Sequence, residues 1–384
     1  MGGAEKDCVG RLRFCRCCPR AVRPSPTTAS LSSWCLRCGL AGENMTRPGE
    51  ASRRPQQPLQ PDSDFQARIT GGYSVLLVRG DDAVERGASL PVSIVVPTIG
   101  RAELLGRCLE SIAACEPRAA EMIVVDQSSD AAVRSVVESF AAAGARLRIS
   151  TIRDRSVAVN HGMREARHEI ILVTDDDCTV ELSWVRRAWE HLSVDPETFV
   201  TGRVLPGGAA AAVPSLIGAE EPRDFTGEIH DDVLFGCNMA CSRSLFLGLG
   251  GFDERVKLAE DNDFCYRWLR AGYRLHYDPQ LLIWHHAWRP PEELGRHFAG
   301  YARGQGIFYA KHLRQGDLGV LRFVARDARR AARATAARVI RGRTDWPDAR
   351  LALPRGVTRG LIEGWREFRP GSRSRRTEGA IRSD

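Results

Sequence analysis

An acidic triplet, Asp175-Asp176-Asp177, directly follows the apolar run from Glu169 to Thr174 and constrains the fold more than any other feature of the sequence. A short apolar run of this kind is consistent with a buried β-strand. Three adjacent carboxylates repel one another, so the arrangement is costly unless a cation or hydrogen-bond donors hold it. Carboxylate oxygens are hard ligands that suit Mg²⁺ or Mn²⁺. The triplet therefore predicts a strand that ends in a divalent metal site, with a solvated acidic loop as the alternative.

Two earlier runs also predict strands with polar ends. The segment from Val92 to Thr98 is rich in β-formers and is broken by Pro97, which cannot continue a central strand. The segment from Glu121 to Asp126 ends in a carboxylate. Because ligand sites in open α/β sheets lie at the carboxyl ends of strands, Asp126 is well placed for binding. Apolar residues at helical spacing between Arg101 and Cys115 predict the helix that joins the two strands.

The next segments extend this alternation. Asp130 is predicted to cap the helix that follows the second strand. Residues 147–149 predict a third strand, and residues 155–166 predict a helix that contains Val159-Asn160-His161-Gly162. With the strand before the acidic triplet, the sequence predicts three β-α units and a fourth strand, an α/β class of fold.

Four further motifs lie downstream. The first comprises residues 235–244, and the second is a turn at 250–254 that contains two glycines followed by Phe252, which is expected in the core. Glu260-Asp261 stands at a predicted helix start, where acidic residues also stabilise the macrodipole without any chemical role. An apolar strand from Leu281 ends in the paired histidines His285 and His286.

The stretch from Val92 to His286 resembles, motif by motif, the bacterial-type, non-processive, inverting glycosyltransferases of family 2, over about half of the chain. The resemblance implies a GT-A (Rossmann-like) nucleotide-diphospho-sugar transferase fold, with a mixed central sheet flanked by helices. It also implies transfer of a sugar from a nucleotide-diphosphate donor, first of all a UDP-sugar. The acceptor would be a hydroxyl of a glycan, a lipid-linked molecule or a small molecule, as in cell-envelope polysaccharide synthesis.

The resemblance also implies which residues bind the donor. Pro97 and Thr98 would lie against the base and ribose, and Asp126 would bond the uracil ring. The chain departs from the family at Gln127, where relatives commonly have a second acidic residue, and at Val159, which replaces the usual arginine. Arg155 is predicted to supply the phosphate-facing charge instead. The full nucleotide-sugar-binding set comprises Pro97, Thr98, Asp126, Arg155, Asp175 and Asp176.

The resemblance further implies a metal site and a catalytic base. The metal would be Mn²⁺ or Mg²⁺, held by Asp175, Asp177 and His285, with His286 as the alternative histidine. Asp261 is predicted to be the general base, and Glu260 is the alternative. Asp263, two residues further on, receives no chemical role.

Charge is divided unevenly along the chain. The net charge of +7 arises from +6 in residues 1–60, −9 in residues 61–313 and +10 in residues 314–384. The basic character belongs to the ends, so nucleic acid is not a predicted partner of the core. The predicted organisation is a leader at 1–60, a short β extension at 61–90, the catalytic domain at 91–313, a basic helical extension at 314–370 and a disordered tail at 371–384.

The leader contains the pairs Cys15/Cys18 and Cys35/Cys38, whose spacing fits a four-thiolate zinc site. The alternatives are a disordered segment or a misassigned start, because few apolar residues accompany the cysteines. A strand is predicted at 73–78. Six later cysteines lie in apolar elements and predict buried thiols in a reducing cytosol: Cys108, Cys115, Cys178, Cys237, Cys241 and Cys265.

The remaining predictions concern partners. Residues 205–222 are a candidate acceptor or lid loop, and residues 291–312 predict a helix beside the acceptor cleft. Residues 318–341 form a basic amphipathic pattern that either packs on the domain or contacts a membrane, which would place the protein in the cytoplasm or on the inner face of the plasma membrane. No run of eighteen apolar residues predicts a membrane-spanning helix.

Two other functions were weighed. A sugar-phosphate nucleotidyltransferase needs a Gly-rich, Lys-bearing loop after its first strand, and residues 98–101 are too short for one. A noncatalytic binding protein with a zinc-ribbon-like head and a basic tail would depend on residues 1–60 and would be indifferent to loss of Asp261.

Overall fold

The computed structural model describes residues 89–208, 216–227, 236–286, 291–341, 349–369 and 381–382. The predicted leader, the predicted strand at 73–78 and residues 371–380 of the predicted tail lie outside the described residues. So does the central part, 209–215, of the candidate lid loop.

The first half of the described chain alternates strands and helices as predicted. Its elements are β1 (Ser89–Thr98), α1 (Ala102–Ala113), β2 (Arg118–Asp126), α2 (Ala131–Ser139), β3 (Ala145–Ser150), α3 (Arg155–Glu165) and β4 (Ile170–Val173). β1 pairs in parallel with both β2 and β4, and β2 pairs in parallel with β3. The carboxyl ends of these strands therefore meet at one edge of the sheet, as the β-α pattern predicts.

The second half adds antiparallel strands and the C-terminal helices. Its elements are β5 (Cys178–Val180), α4 (Trp184–Val194), β6 (Thr198–Pro206), β7 (Arg223–Thr226), β8 (Met239–Ser242), α5 (Arg243–Gly248), α6 (Glu260–Arg270), β9 (Arg274–His285), α7 (Pro291–Arg314), α8 (Leu321–Arg341), α9 (Ala349–Glu367) and β10 (Ile381–Arg382). The strand order is β10-β3-β2-β1-β4-β8-β6-β9-β5, with β7 also on β9. The sheet is mixed, as expected.

Local sequence explains these elements. The central strand β1 is buried along its last seven residues and reads as a nearly continuous apolar run, which is typical of a strand covered on both faces. α1 buries one apolar stripe, formed by Leu105, Cys108, Leu109 and Ile112. The Asp130 side chain accepts a hydrogen bond from Ala132 N, which confirms its predicted role as the cap of α2.

The α3 segment Val159-Asn160-His161-Gly162, which resembles a motif of the family, contributes to packing. The Asn160 side chain accepts from Phe252 N and donates to Phe252 O, both at 2.9 Å, and so fixes the turn after α5. Gly251 in that turn has φ +64°, which favours glycine. A Cβ at Gly162 would lie 2.4 Å from Val95, so only glycine lets α3 approach β1 this closely. Phe252 is buried, as predicted.

Two C-terminal helices pack at unusually short distance. Three glycines on α9, here called the glycine seam (Gly356, Gly360 and Gly364), lie against α7. A Cβ at Gly360 would lie 1.9 Å from the Arg303 carbonyl oxygen, and one at Gly364 would lie 2.7 Å from Ala310 Cβ. The α7 residues that lie opposite the seam increase in residue number in the same order as the seam glycines, so the two helices run parallel.

All six cysteines within the described residues are buried and free, as predicted: Cys108, Cys115, Cys178, Cys237, Cys241 and Cys265. Within the same residues no helix combines the length and the apolar character that crossing a membrane requires.

Candidate active site

A cavity of about 500 Å³ opens at the edge where the parallel strands end. Its lining includes eight of the ten residues that the sequence singles out: Pro97, Thr98, Arg155, Asp175, Asp177, Glu260, Asp261 and His285. Asp126 and Asp176 are buried beside it and do not line it. The fold thus gathers residues from β1, α3, the β4–β5 turn, α6 and β9 around one space.

Two arginines neutralise the acidic triplet. Arg101 contacts both later carboxylates: its guanidinium binds Asp176 through two nitrogens and Asp177 Oδ2 through Nη1 at 3.0 Å. Thr98 Oγ1 also donates to Asp176 Oδ2 at 2.5 Å. Arg155 Nε donates to Asp175 Oδ1 at 2.9 Å. Burial raises the pKa of Asp176 to about 7 although Arg101 favours its charged form.

The metal-type ligands come together through strand pairing. β5 pairs antiparallel with β9 so that Cys178 lies opposite His285, and His286 N donates to Asp177 O at 2.8 Å. His285 Nε2 then lies 3.2 Å from Asp177 Oδ1. His286 instead contacts the Thr179 hydroxyl at 2.9 Å, so His285 is the histidine that faces the acidic triplet.

The donor set suits a hard or borderline cation. Ligand atoms of Asp177, Cys178 and His285 lie within 4.8 Å of one another. Burial raises the pKa of the Cys178 thiol well above its usual range. Burial opposes the charge of His285, but its hydrogen bond to Asp177 outweighs this and raises the pKa of His285 to about 9. A carboxylate–imidazole pair of this kind fits Mn²⁺.

The two candidate bases occupy different environments at the start of α6. Asp261 Oδ2 accepts from Gly236 N at 3.0 Å, and Oδ1 accepts from Asn262 N at 2.8 Å. Glu260 is buried, and burial together with the nearby Asp261 charge raises its pKa to about 7. Both side chains line the cavity, but Asp261 is held by backbone donors whereas Glu260 is more deeply buried and contacts Arg155.

Asp263 has a structural role. Its fully buried carboxylate contacts Lys311 and His312 of α7, at 2.7 and 2.9 Å, and Arg267 of its own helix at 2.9 Å. Burial opposes the charge of Asp263, but the His312 hydrogen bond and the charges of Arg267 and Lys311 outweigh it and hold the pKa of Asp263 well below its usual range. The residue fastens α6 to α7.

Arg155 bridges the two sides of the cavity. It follows Asp154, whose side chain caps α3 by accepting from Val157 N at 3.1 Å. Beyond its bond to Asp175, the guanidinium lies 3.4 Å from Glu260 Oε1 and donates to Gly236 O at 2.7 Å. It is thus the cation between the acidic triplet and the start of α6, where the sequence predicts a phosphate-facing charge.

Asp126 has one committed and one uncommitted oxygen. Oδ1 accepts from Ser128 N at 2.9 Å and from Ser128 Oγ at 2.6 Å. Oδ2 is buried and has no hydrogen-bond partner in the described part of the chain. A buried carboxylate oxygen without a donor is costly, so Oδ2 has an unused capacity to accept a hydrogen bond.

Sequence reasoning missed two parts of the cavity wall. Arg101, on the turn after β1, was treated only as the start of a helix. On α7, His297, Tyr301 and Gln305 line the cavity together. Their spacing of four residues places them on one helical face, and this polar and aromatic stripe was the signal that could have identified them. Gln305 Oε1 accepts from Asn262 Nδ2 at 3.3 Å, next to Asp261.

The fold and the cavity agree with comparisons to known proteins. Residues 93–247 match the sequence profile of glycosyl transferase family 2. In structure, the chain is similar to a mannosyltransferase from Pyrobaculum calidifontis in complex with GDP-Man and Mn²⁺. The TM-score is 0.50 at 21% identity, over 73% of this chain and 89% of that one. Residues 93–247 thus match glycosyltransferase family 2, and the fold of the described chain is GT-A.

Two relatives indicate the kinds of enzyme that share this sequence pattern. The chain is 26% identical over 216 residues to the pre-mycofactocin glycosyltransferase of Mycobacterium tuberculosis, covering 50% of this chain and 42% of that protein. It is 38% identical over 72 residues to an O-antigen chain rhamnosyltransferase of Salmonella anatum, covering 18% of this chain and 21% of that protein. The chain therefore spans less than half the length of these two relatives.

Proposed function

We propose that this protein transfers a sugar from a nucleotide-diphosphate donor to a hydroxyl acceptor, with Mn²⁺ or Mg²⁺ as cofactor. One observation carries the proposal: Asp175, Asp177, His285 and Asp261 line the same cavity of a family 2 glycosyltransferase domain. A metal-type ligand pair and a backbone-held carboxylate are the two components that transfer from a diphosphate donor requires.

On the donor side, the proposal assigns the nucleotide to the edge formed by β1 and β2. Pro97 and Thr98 would contact the base and ribose, and the uncommitted Asp126 Oδ2 would accept from a base N–H. Asp175 would contact the ribose. Asp176, which does not line the cavity, would act through Thr98 and Arg101, the two residues that it holds in place: this makes it a positioning residue.

The metal would be held by Asp175, Asp177 and His285, and when bound it would stabilise the negative charge that gathers on the leaving diphosphate. Arg155 would add a second positive charge on the same side. Its contacts to Asp175 and Glu260 support this role, because the two carboxylates would lie on the donor side and the acceptor side.

Asp261 would take the proton from the acceptor hydroxyl as that hydroxyl attacks the anomeric carbon. Hydrogen bonds from Gly236 N and Asn262 N hold the carboxylate in position. Glu260 is the alternative base. Attack from the face opposite the leaving group would invert the anomeric configuration in a single, non-processive transfer.

The acceptor would lie against α7. His297 and Tyr301, whose side chains contact each other at 2.7 Å, and Gln305 form the wall next to Asp261. Such a polar and aromatic wall suits a sugar ring or another hydroxyl-bearing group of a glycan, a lipid-linked molecule or a small molecule. Contact with a membrane, predicted from the basic C-terminal extension, belongs to the same proposal.

Calorimetric titration of the full chain with UDP, GDP and dTDP, in Mn²⁺ and then in EDTA, tests the proposal. GDP is tested beside the predicted UDP because the structurally similar mannosyltransferase is in complex with GDP-Man. We expect metal-dependent binding of one nucleotide, lost in Asp177→Ala and retained in Asp224→Ala, a matched change at an aspartate with 56% side-chain exposure. Silence of all three nucleotides would contradict the proposal.

A further inference from the structure

Helix α9 presents two contrasting faces. The glycine seam is buried against α7, whereas Ile362 and Trp365, on the opposite side, are each 49% exposed. Large apolar side chains at this exposure cost free energy in water unless something covers them. The seam leaves little room for α9 to rotate, so this second face is held outward.

The same outward face carries several cations. Arg355, Arg359 and Arg366 are exposed and alternate with Ile362 at spacings of four, three and four residues, which places all four on one stripe. We call this stripe, together with Trp365, the α9 outer face. The acidic residue beside it, Glu363, is already paired with Arg359 and, from α7, with Arg303. The α9 outer face is therefore net positive.

Trp365 is fixed in place. The Arg314 guanidinium lies over its ring at 4.2 Å and donates to the Trp365 carbonyl oxygen at 2.9 and 3.1 Å. A tryptophan with a defined orientation, flanked by arginines, is typical of side chains at the interface between a bilayer and water. A rigid apolar anchor also loses less conformational entropy on binding than a mobile one.

Helix α8 provides an instructive contrast. The sequence pattern allows this helix either to pack on the domain or to contact a membrane, and its exposed residues include Arg322, Arg329, Arg330 and Arg333. Among the α8 side chains that the structure describes, Leu321, at the first position, is the exposed large apolar residue. The Phe323 ring is buried against Tyr266 of α6 at 6.0 Å. Beyond that first residue, the described side chains of α8 therefore offer charge without an exposed large apolar anchor.

We propose that the α9 outer face binds the surface of an anionic lipid bilayer, with Ile362 and Trp365 in the headgroup layer and the arginines on lipid phosphates. Charge complementarity selects this occupant, because a row of arginines around two apolar anchors matches a negatively charged, partly apolar surface. The inference stands apart from the proposed catalysis, since none of these residues lines the donor cavity.

Sedimentation of the full chain with phosphatidylcholine vesicles, with and without phosphatidylglycerol, tests this inference. We expect binding to the anionic vesicles that weakens with salt. It should fall by roughly tenfold or more in Arg355→Gln/Arg366→Gln, on the basis of the usual contribution of basic residues near an anionic surface. Ile362→Ser/Trp365→Ser should show a similar loss.

The matched control is Arg329→Gln/Arg333→Gln, which removes the same charge from α8. A smaller loss in this control assigns binding to the α9 outer face, and an equal or larger loss overturns the assignment. Equal binding to neutral vesicles also overturns it. The assignment is also overturned if the protein binds no lipid and light scattering instead shows a dimer that Ile362→Ser/Trp365→Ser dissociates. Unchanged melting and nucleotide titration in each variant show that the fold and the donor site are intact.

Discussion

At the scale of single residues, Arg101 is the part of the site that changes the chemical interpretation most. The acidic triplet was expected to need a cation, and in the ligand-free chain the Arg101 guanidinium provides positive charge to Asp176 and Asp177. A metal that binds Asp177 therefore joins a site in which an arginine already contacts the same carboxylate.

Replacing Arg101 with glutamine should have two opposite effects. The metal-free protein should lose on the order of 2 to 3 kcal/mol of unfolding free energy, because the buried Asp176 loses its paired cation. Mn²⁺ should then raise the melting temperature more than it does in the wild type, because Asp177 is no longer shared. Thermal melting with Mn²⁺ or EDTA measures both effects. Arg107→Gln, at an exposed arginine of the adjoining helix α1, is the control, and equal Mn²⁺ shifts in all three proteins would contradict the prediction.

Substitution at the start of α6 separates the two candidate bases. We expect Asp261→Asn to reduce kcat by ~10² to 10⁴-fold, because the carboxylate that receives the proton is lost. Nucleotide binding should be unchanged, because the donor-side residues are intact. Glu260→Gln is the comparison: a greater loss there than in Asp261→Asn would assign the base to Glu260. Sugar transfer measured under saturating donor decides between them.

The sequence predicts which residues form the site better than it predicts which of their side chains contact one another. The acidic triplet, Asp126 and Asp261 could be identified because each follows or begins a recognisable element. The contact between Arg101 and Asp176 could not, because it joins residues 75 positions apart through side-chain geometry that no local pattern encodes. The burial of Asp176, which keeps it out of the cavity wall, has the same origin.

At the scale of elements, the glycine seam makes a direct prediction. Gly360→Ala should destabilise the protein by about 1 to 3 kcal/mol, because its Cβ would lie 1.9 Å from the Arg303 carbonyl oxygen and would push α9 away from α7. Gly295→Ala, on α7, has no atom within 4 Å of the new Cβ and should be neutral or stabilising. Denaturant unfolding of both variants provides the comparison, and equal effects would contradict the packing.

The parallel strands and helices α1 and α2 could be predicted because their apolar period is strong, whereas α9 could not be separated from the basic extension. Its sequence contains Pro354 and the three glycines of the seam, all poor helix formers. Tertiary packing against α7 overrides this weak propensity, since glycine is what allows the close approach. Propensity and packing requirements conflict in this helix, and packing determines the outcome.

At the scale of the whole molecule, buried carboxylates make the free energy of unfolding depend on pH. Asp278 on β9 contacts Arg187 and His191 of α4 at 2.7 and 2.9 Å. Burial opposes its charge, but the His191 bond, a backbone donor and Arg187 lower its pKa to about 2. Since the folded pKa lies below the unfolded value of about 3.9, the carboxylate stabilises the protein above that value. This contribution is lost as the pH falls towards 2.

We therefore expect Asp278→Asn to lower the unfolding free energy by on the order of 1 to 2 kcal/mol at neutral pH. The difference from the wild type should shrink as the pH falls from about 4 towards 2, because the wild-type carboxyl then gains its proton. Urea unfolding across this range measures the effect. Asp224→Asn, at an exposed aspartate, should track the wild type throughout, and a constant difference for Asp278→Asn would exclude the linkage.

The pairing of β5 with β9 has a consequence for engineering this chain. Only three residue pairs join these strands, and they determine which of two adjacent histidines faces Asp177. An insertion of one residue within β9 would shift the register of this pairing by one position. A neighbouring residue would then take the place of His285, although every original residue is still present in the chain. Grafting, circular permutation or loop exchange should therefore preserve the number of residues between the parallel strands and the β5–β9 pair. The site depends on the register of this pairing as much as on which residues are present.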